Sequence, residues 1–154
     1  MAKSVVKKRV CPEMMKPVFL LLILFVFVGC TNVTGDAPRT ISSLPDDRLS
    51  TAHLFATADT FFSEAGYACR TDTEAGQFRC SRALRDLYIH QTTAEVNIYP
   101  GDEGGKAHRI IANRWDEGVI PSELISNTYA NDDVEAFCAY LASETIGLCS
   151  DYRG

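Results

Sequence analysis

The sequence predicts an α+β domain with an N-terminal and a C-terminal helix packed on a small antiparallel sheet. Three observations support this prediction: a helical apolar stripe over residues 50–66, several short segments rich in Val, Ile and aromatic residues, and a second helical pattern over residues 131–147. Because helices and strands are segregated along the chain, a two-layer arrangement with both helices on one sheet face is expected. Residues 46–154 are assigned to this single domain.

The first 29 residues are predicted to be an export signal. Basic residues precede an apolar run at residues 18–28, which is shorter than the roughly 20 residues that a membrane-spanning helix requires. Phe27-Val28-Gly29-Cys30 resembles the lipobox of bacterial lipoproteins, which implies cleavage before Cys30 and its lipidation. Thr31 after the cysteine then implies sorting to the outer membrane, facing the periplasm. An uncleaved anchor and a free secreted protein are the alternatives, and Met14 or Met15 is an alternative start.

Residues 30–45 are predicted to be a flexible tether between the lipid and the fold, because they mix Gly, Pro, Ser and Thr with few large apolar residues. Residues 1–29 carry five of the 15 basic residues and one of the 20 acidic ones, so the remaining chain has a net charge of about −9. This charge argues against a nucleic-acid partner and favours a basic protein or ligand. Attachment to the membrane is then expected to depend on the acyl chains and not on charge.

The first helix is predicted to begin at Ser50, a good N-cap residue, and to end at Gly66, which can adopt the left-handed conformation. Core packing is the favoured interpretation of its apolar stripe, and a partner-binding face is the alternative. The stripe comprises Leu54, Phe55, Ala58, Phe61, Phe62 and Ala65.

A disulfide-bonded hairpin is predicted after this helix. The β-type segments 67–71 and 77–81 flank a turn-like stretch with a late glycine, and folding them about that turn places Cys69 opposite Cys80. Cys138 and Cys149 then remain as the second pair by elimination, with Cys138 bonded to a hairpin cysteine as the alternative. Zinc is disfavoured because no cysteine pair has C-x2-C spacing.

Three further β-type segments, residues 87–90, 95–99 and 108–115, complete the predicted sheet. In the second helix, Asn131 or Asp132 is expected to be the N-cap and Gly147 to end the helix. Its predicted apolar side comprises Val134, Phe137, Cys138, Leu141 and Thr145.

Known catalytic and cofactor motifs are absent from the sequence, including G-x-S-x-G, a phosphate-binding glycine loop, H-E-x-x-H and a calcium loop. No catalytic residue, cofactor or metal ligand is therefore predicted. His53, His90 and His108 are the three side chains that could act as bases near neutral pH, and an ordinary structural or surface role is favoured for each.

Candidate binding residues are Tyr99, Trp115 and Tyr129, because aromatic side chains dominate interface hot spots. Asp102 and Glu103 lie in the turn-like stretch 99–106 and could capture a cation. A core position is the favoured interpretation of Trp115, and a simple hairpin loop is favoured for the two acids.

The sequence thus predicts a lipid-anchored, disulfide-bonded envelope module without catalytic activity. Its expected partner is another envelope component, most simply a protein. One alternative is a small envelope hydrolase in which a histidine meets a carboxylate in a cleft. A second alternative is a lipoprotein that binds a small cation or metal ligand through the Asp102 loop.

Overall fold

A computed structural model describes residues 30–44, 49–101, 107–118 and 126–152, and within them two helices and seven strands. The α+β class is confirmed. None of the helices described is long and apolar enough to cross a membrane. The helices are α1 (Thr51–Glu64) and α2 (Asp132–Ser143), and the strands are β1 (Cys30–Gly35), β2 (Arg39–Ser42), β3 (Ala68–Asp72), β4 (Gln77–Leu87), β5 (His90–Pro100), β6 (Ala107–Gly118) and β7 (Leu148–Asp151).

All seven strands form one antiparallel sheet, which is larger than the predicted one. The strand order is β3-β4-β5-β6-β2-β7, and β1 pairs with β6 further along the edge that β2 occupies. In the central β5–β6 pair, His90 lies opposite Gly118 and Pro100 opposite His108. At about 3.3 Å per residue, the two ends of this pair are separated by roughly 33 Å.

Both helices begin at side-chain caps. The Ser50 side chain accepts a hydrogen bond from the His53 amide, and the Asn131 side chain accepts one from the Val134 amide. Helix α1 is followed by Gly66 at φ +85°, as its sequence predicts. The predicted end of α2 at Gly147 is wrong, because the helix stops at Ser143 and the backbone reverses at Thr145, which has φ +55°.

The apolar sides of both helices pack against the same face of the sheet. Phe55 stacks on Phe78 of β4 with ring centroids 5.6 Å apart, and Phe62 of α1 meets Phe137 of α2 at 5.0 Å. Core packing is therefore confirmed for the stripe of α1. No helix or strand among the described residues covers the opposite face, here called the open face. The buried sheet residues of the core are Ile41, Phe78, Cys80, Ala94, Val96, Ile98, Ile110 and Ala112.

Neither helix is a terminal element, contrary to the predicted arrangement, since α1 follows β1 and β2 and α2 precedes β7. The tether prediction for residues 30–45 is wrong over β1 and β2, because their backbones pair with β6 and, for β2, also with β7. The predicted strand at residues 87–90 is also wrong, because Tyr88 and Ile89 form the turn between β4 and β5. The signal segment 1–29 lies outside the described residues.

Both predicted disulfides are confirmed. Cys69 and Cys80 are cross-strand partners in β3 and β4, with a Cα–Cα distance of 4.1 Å. Cys138 of α2 is bonded to Cys149 of β7, with a Cα–Cα distance of 5.6 Å. One bridge therefore fixes an edge strand to its neighbour, and the other ties the second helix to the opposite edge of the sheet.

Candidate functional site

The open face carries a groove of about 530 Å³ across strands β3 to β6. The strand register explains why its side chains converge, because residues directly opposite each other in a sheet share a face. Arg70 lies opposite Arg79, and Thr93 lies opposite Trp115. The polar and aromatic residues that line the groove are Arg70, Arg79, Ser81, Thr93, Glu95, Trp115 and Glu117.

Glu95 forms the floor of this groove and is only 8% exposed. Its carboxylate is ion-paired with the Arg79 guanidinium and accepts a hydrogen bond of 2.6 Å from Asn97 Nδ2. A carboxylate this deeply buried needs such partners to offset its lost hydration. The consequence is that Arg79, whose side chain is 43% exposed, is held in a fixed position at the groove surface.

A second guanidinium lies beside it. Arg70 on the edge strand β3 is exposed and directly opposite Arg79, an arrangement that like charges normally disfavour. Arg70 has no ion-pair partner among the described residues. Because Glu95 neutralises Arg79, the excess positive charge at one end of the groove comes from Arg70, whereas the exposed Glu117 lies at its other end. Two guanidiniums side by side suit a ligand that carries carboxylate, phosphate or carbonyl oxygens.

Trp115 is on the open face and not in the core, so the favoured interpretation of this residue as core is wrong. It lies between Thr93 of β5 and Val33 of β1 and is half-buried. The indole Nε1–H is shielded from solvent and has no acceptor among the described residues, although buried indole N–H groups usually have one. Trp115 therefore supplies an aromatic wall to the groove, and its binding role stays a prediction.

The other predicted binding residues lie elsewhere. The Arg109 guanidinium lies over the ring of Tyr99, 5.5 Å from its centroid, so this half-buried ring makes a cation–π contact away from the groove. Tyr129 accepts a hydrogen bond of 2.8 Å from Asn131 Nδ2, and burial raises the pKa of its hydroxyl. Asp102 and Glu103 lie outside the described residues. Cys30, the predicted lipid site, begins strand β1.

A polar network ties α2 to the sheet and was not predicted from the sequence. The Tyr67 hydroxyl donates to Asp133 Oδ2 at 2.9 Å, and Arg82 Nη2 donates to the same oxygen at 2.6 Å. The Arg82 guanidinium also lies 4.4 Å from the centroid of the Tyr67 ring. Burial is the main cause that raises the pKa of Tyr67 to about 12. These contacts fix β4, which carries Arg79, against the helical layer.

His90 is the histidine that meets a carboxylate. Its Nε2 is 3.6 Å from Asp116 Oδ1, and both side chains are only 4% exposed. The same carboxylate accepts hydrogen bonds from Thr92 Oγ1 at 2.9 Å and from Arg114 Nε at 2.8 Å. Each of the two carboxylate oxygens of Asp116 thus already accepts a hydrogen bond from a strand residue.

His108 lies at the far end of the same strand pair. Its Nε2 is 3.0 Å from the Thr51 hydroxyl, and burial lowers the pKa of the imidazole. Because β5 and β6 separate His90 from His108 by nearly their whole length, the two histidines cannot share a site. Neither is among the residues that line the groove.

Among the described residues, no group of three or more His, Cys, Asp and Glu side chains is placed to hold a metal ion. Comparisons with protein-family models, curated proteins and solved structures found no match to this chain. A function for this chain is therefore inferred from its lipobox-like sequence, its disulfides and the geometry of the groove.

Proposed function

We propose that this protein is a lipid-anchored, non-catalytic binding module of the bacterial envelope, facing the periplasm. The observation that carries the proposal is the groove, in which an aromatic wall from Trp115 lies across from Arg70 and the immobilised Arg79. The lipobox-like sequence ending at Cys30 supports the anchor. The two disulfides support an oxidising compartment such as the periplasm.

The groove is suited to binding because the Arg79 guanidinium is fixed before a ligand arrives. Glu95, which accepts a hydrogen bond from Asn97, holds Arg79 in place, and the Cys69–Cys80 bridge fixes the strand that carries Arg70. Preorganised side chains lose little conformational entropy on binding, so more of the contact energy appears as affinity. The partner is an envelope protein or glycan that presents oxygen acceptors to the guanidiniums and an apolar or ring surface to the indole.

Site-specific photocrosslinking in intact envelopes tests this proposal. A photoreactive amino acid at Thr93, which lines the groove, is expected to capture a specific adduct. The same group at Asp59, exposed on α1 in the helical layer, is the matched control. Adducts of the same masses from both positions, or none from Thr93, would contradict binding in the groove.

Charge variants give a second readout of the same experiment. Arg70→Gln, combined with the photoreactive group at Thr93, is expected to reduce the adduct at least fivefold, because it removes one of the paired guanidiniums. Arg85→Gln is the matched control, since Arg85 is also exposed on the same sheet but does not line the groove. Equal adduct yields from the two variants would mean that the guanidinium pair does not contribute to recognition.

Hydrolysis is the second candidate function, favoured by the contact between His90 and Asp116. The burial of both side chains and the full set of bonds on Asp116 weigh against it. His90→Gln and the exposed control His53→Gln, compared on isolated cell wall and on chromogenic esters, discriminate the two functions. A turnover that is present in the parent and in His53→Gln but lost in His90→Gln would favour the hydrolase.

A further inference from the structure

The end of β4 and the turn that joins it to β5 expose four large apolar side chains, here called the hairpin tip (Leu84, Leu87, Tyr88 and Ile89). Their exposed fractions are 44%, 49%, 106% and 56%, respectively. Two-residue hairpin turns favour Asn, Asp and Gly, so the geometry of the turn does not require Tyr88 and Ile89. A cluster of exposed apolar side chains of this kind is typical of a surface that contacts another apolar phase.

The hairpin tip lies at the same end of the sheet as Cys30. Leu87 pairs with His90, His90 with Gly118, and Gly118 with Cys30. Neighbouring strands are about 4.8 Å apart, so the Cα atoms of Cys30 and His90 are separated by about 10 Å. The predicted lipid site and the apolar turn therefore lie at the same end of the sheet.

Gly118 keeps these two features in a fixed relation. A Cβ atom at this position would lie 2.3 Å from the carbonyl oxygen of Ile89 and 2.8 Å from the Cα of His90. Gly118, at the end of β6, thus approaches the turn more closely than a residue with a side chain could. Its φ of +144° also favours glycine. The tip is held against the same strand end that pairs with the start of β1.

We propose that the hairpin tip inserts into the interfacial region of the membrane leaflet that carries the lipid on Cys30. This inference rests on the proposed function, because the lipid on Cys30 brings that end of the sheet to the bilayer. With β1 beginning at Cys30, the sheet itself starts at the anchored residue, so the tip reaches the same plane. Leu and Ile side chains suit the acyl boundary, and Tyr is enriched at the head-group level.

Insertion of the tip orients the groove as well as the domain. Trp115 precedes Gly118 by three residues on β6, which places the groove about 10 Å from the anchored end of the sheet. A partner must then approach close to the membrane surface to reach the two guanidiniums.

Fluorescence quenching by brominated lipid tests this proposal on the full-length protein, extracted with its native processing. The protein is reconstituted in phosphatidylethanolamine–phosphatidylglycerol vesicles whose lipids are brominated near the head-group end of the acyl chains. An indole is introduced by Tyr88→Trp at the tip or, as a matched control, by Glu74→Trp in the turn at the other end of β4, about 35 Å away. Parent protein, with Trp115 alone, supplies the background emission.

The expected result is at least a twofold loss of the added emission at position 88, with no loss at position 74. Intact mass of the same samples reports the acyl chains on Cys30 separately. Acylated protein without quenching at position 88 would overturn the insertion of the tip and leave the anchor intact. A mass without acyl chains would overturn both the anchor and the inference that depends on it.

Discussion

Removal of the Cys69–Cys80 disulfide is expected to destabilise the domain and also to loosen the groove. The bridged cysteines are 11 residues apart, and the chain-entropy treatment assigns a loop of this size about 3 kcal/mol of stabilisation. The Cys138–Cys149 bridge has the same separation and therefore the same expected contribution. The double alanine variants of the two bridges form a pair matched in loop length.

The two bridges differ in what they hold. Strand β3 is an edge strand that pairs with β4 and carries Arg70 into the groove, whereas Cys149 is on β7 at the opposite edge of the sheet. Both variants should therefore lose about 3 kcal/mol of unfolding free energy in urea, or about 10 °C in Tm. The Cys69→Ala/Cys80→Ala variant alone should increase the acrylamide quenching of Trp115, which lines from β6 the groove that β3 and β4 close on the other side.

Two results would refute this reasoning. A loss of less than about 1 kcal/mol in either variant would mean that loop closure does not set the contribution of the bridges. Equal increases in Trp115 quenching would mean that the groove depends on global stability and not on the fixed edge strand. Mass measurement under non-reducing conditions confirms that the remaining bridge is intact in each variant.

Three further changes test the buried groups and the turn. Burial lowers the pKa of His108, so the unfolded chain binds the proton more readily and stability is lost as pH falls below about 6.5. In thermal melts, His108→Gln should reduce this loss of stability, whereas the exposed control His53→Gln should not. Because burial raises the pKa of Tyr67 to about 12, stability should fall as pH rises from about 10 to 12. Tyr67→Phe should remove the step at the highest pH from the phenolate absorbance titration. Gly118→Ala should cost more than about 2 kcal/mol in urea unfolding, because the methyl group meets backbone atoms, whereas Gly66→Ala, whose nearest neighbour would be 3.7 Å away, should cost about 1 kcal/mol.

The parts of the fold that could be predicted are those whose signals are local. Gly76 has a φ of +63°, and the Asp72 side chain accepts hydrogen bonds from two amides of the turn, so the hairpin and its disulfide follow from about 15 residues of sequence. Helix α1 was predicted from its cap and its apolar spacing. In both elements, the residues that define the structure are neighbours along the chain.

The missed strands depend on partners that are remote in sequence. In β1 and β2 the strand-forming residues are Thr, Val and a single buried Ile41, interrupted by Gly35 and Pro38, so the composition indicates a linker. Their strand conformation comes from pairing with β6 and β7, which lie some 70 to 110 residues further along the chain. No local pattern in residues 30–42 contains that information.

The alternation of residues along β6 partly predicts the groove. Ile110 and Ala112 face the core, so a count in steps of two places Ile111, Asn113 and Trp115 on the open face. The general tendency of a single tryptophan to be buried predicts the core face instead, and at Trp115 this is wrong. Arg70 and Glu95 could not be assigned to the same site in advance, because the register that brings β3, β4 and β5 together is set by the folded sheet.

The groove and the hairpin tip are consequences of the same strand register. The β5–β6 pair ends at Gly118, where the close approach of the turn fixes the tip, and three residues earlier the same strand presents Trp115. A change that shifts β6 by one residue would turn Trp115 into the core and also separate the tip from the start of β1. The proposed binding at the groove and the proposed contact with the membrane both depend on this strand, so we expect Gly118→Ala to weaken both the photocrosslink at Thr93 and the lipid quenching at position 88. If Gly118→Ala abolished one of these two signals and fully retained the other, the groove and the hairpin tip would be independent.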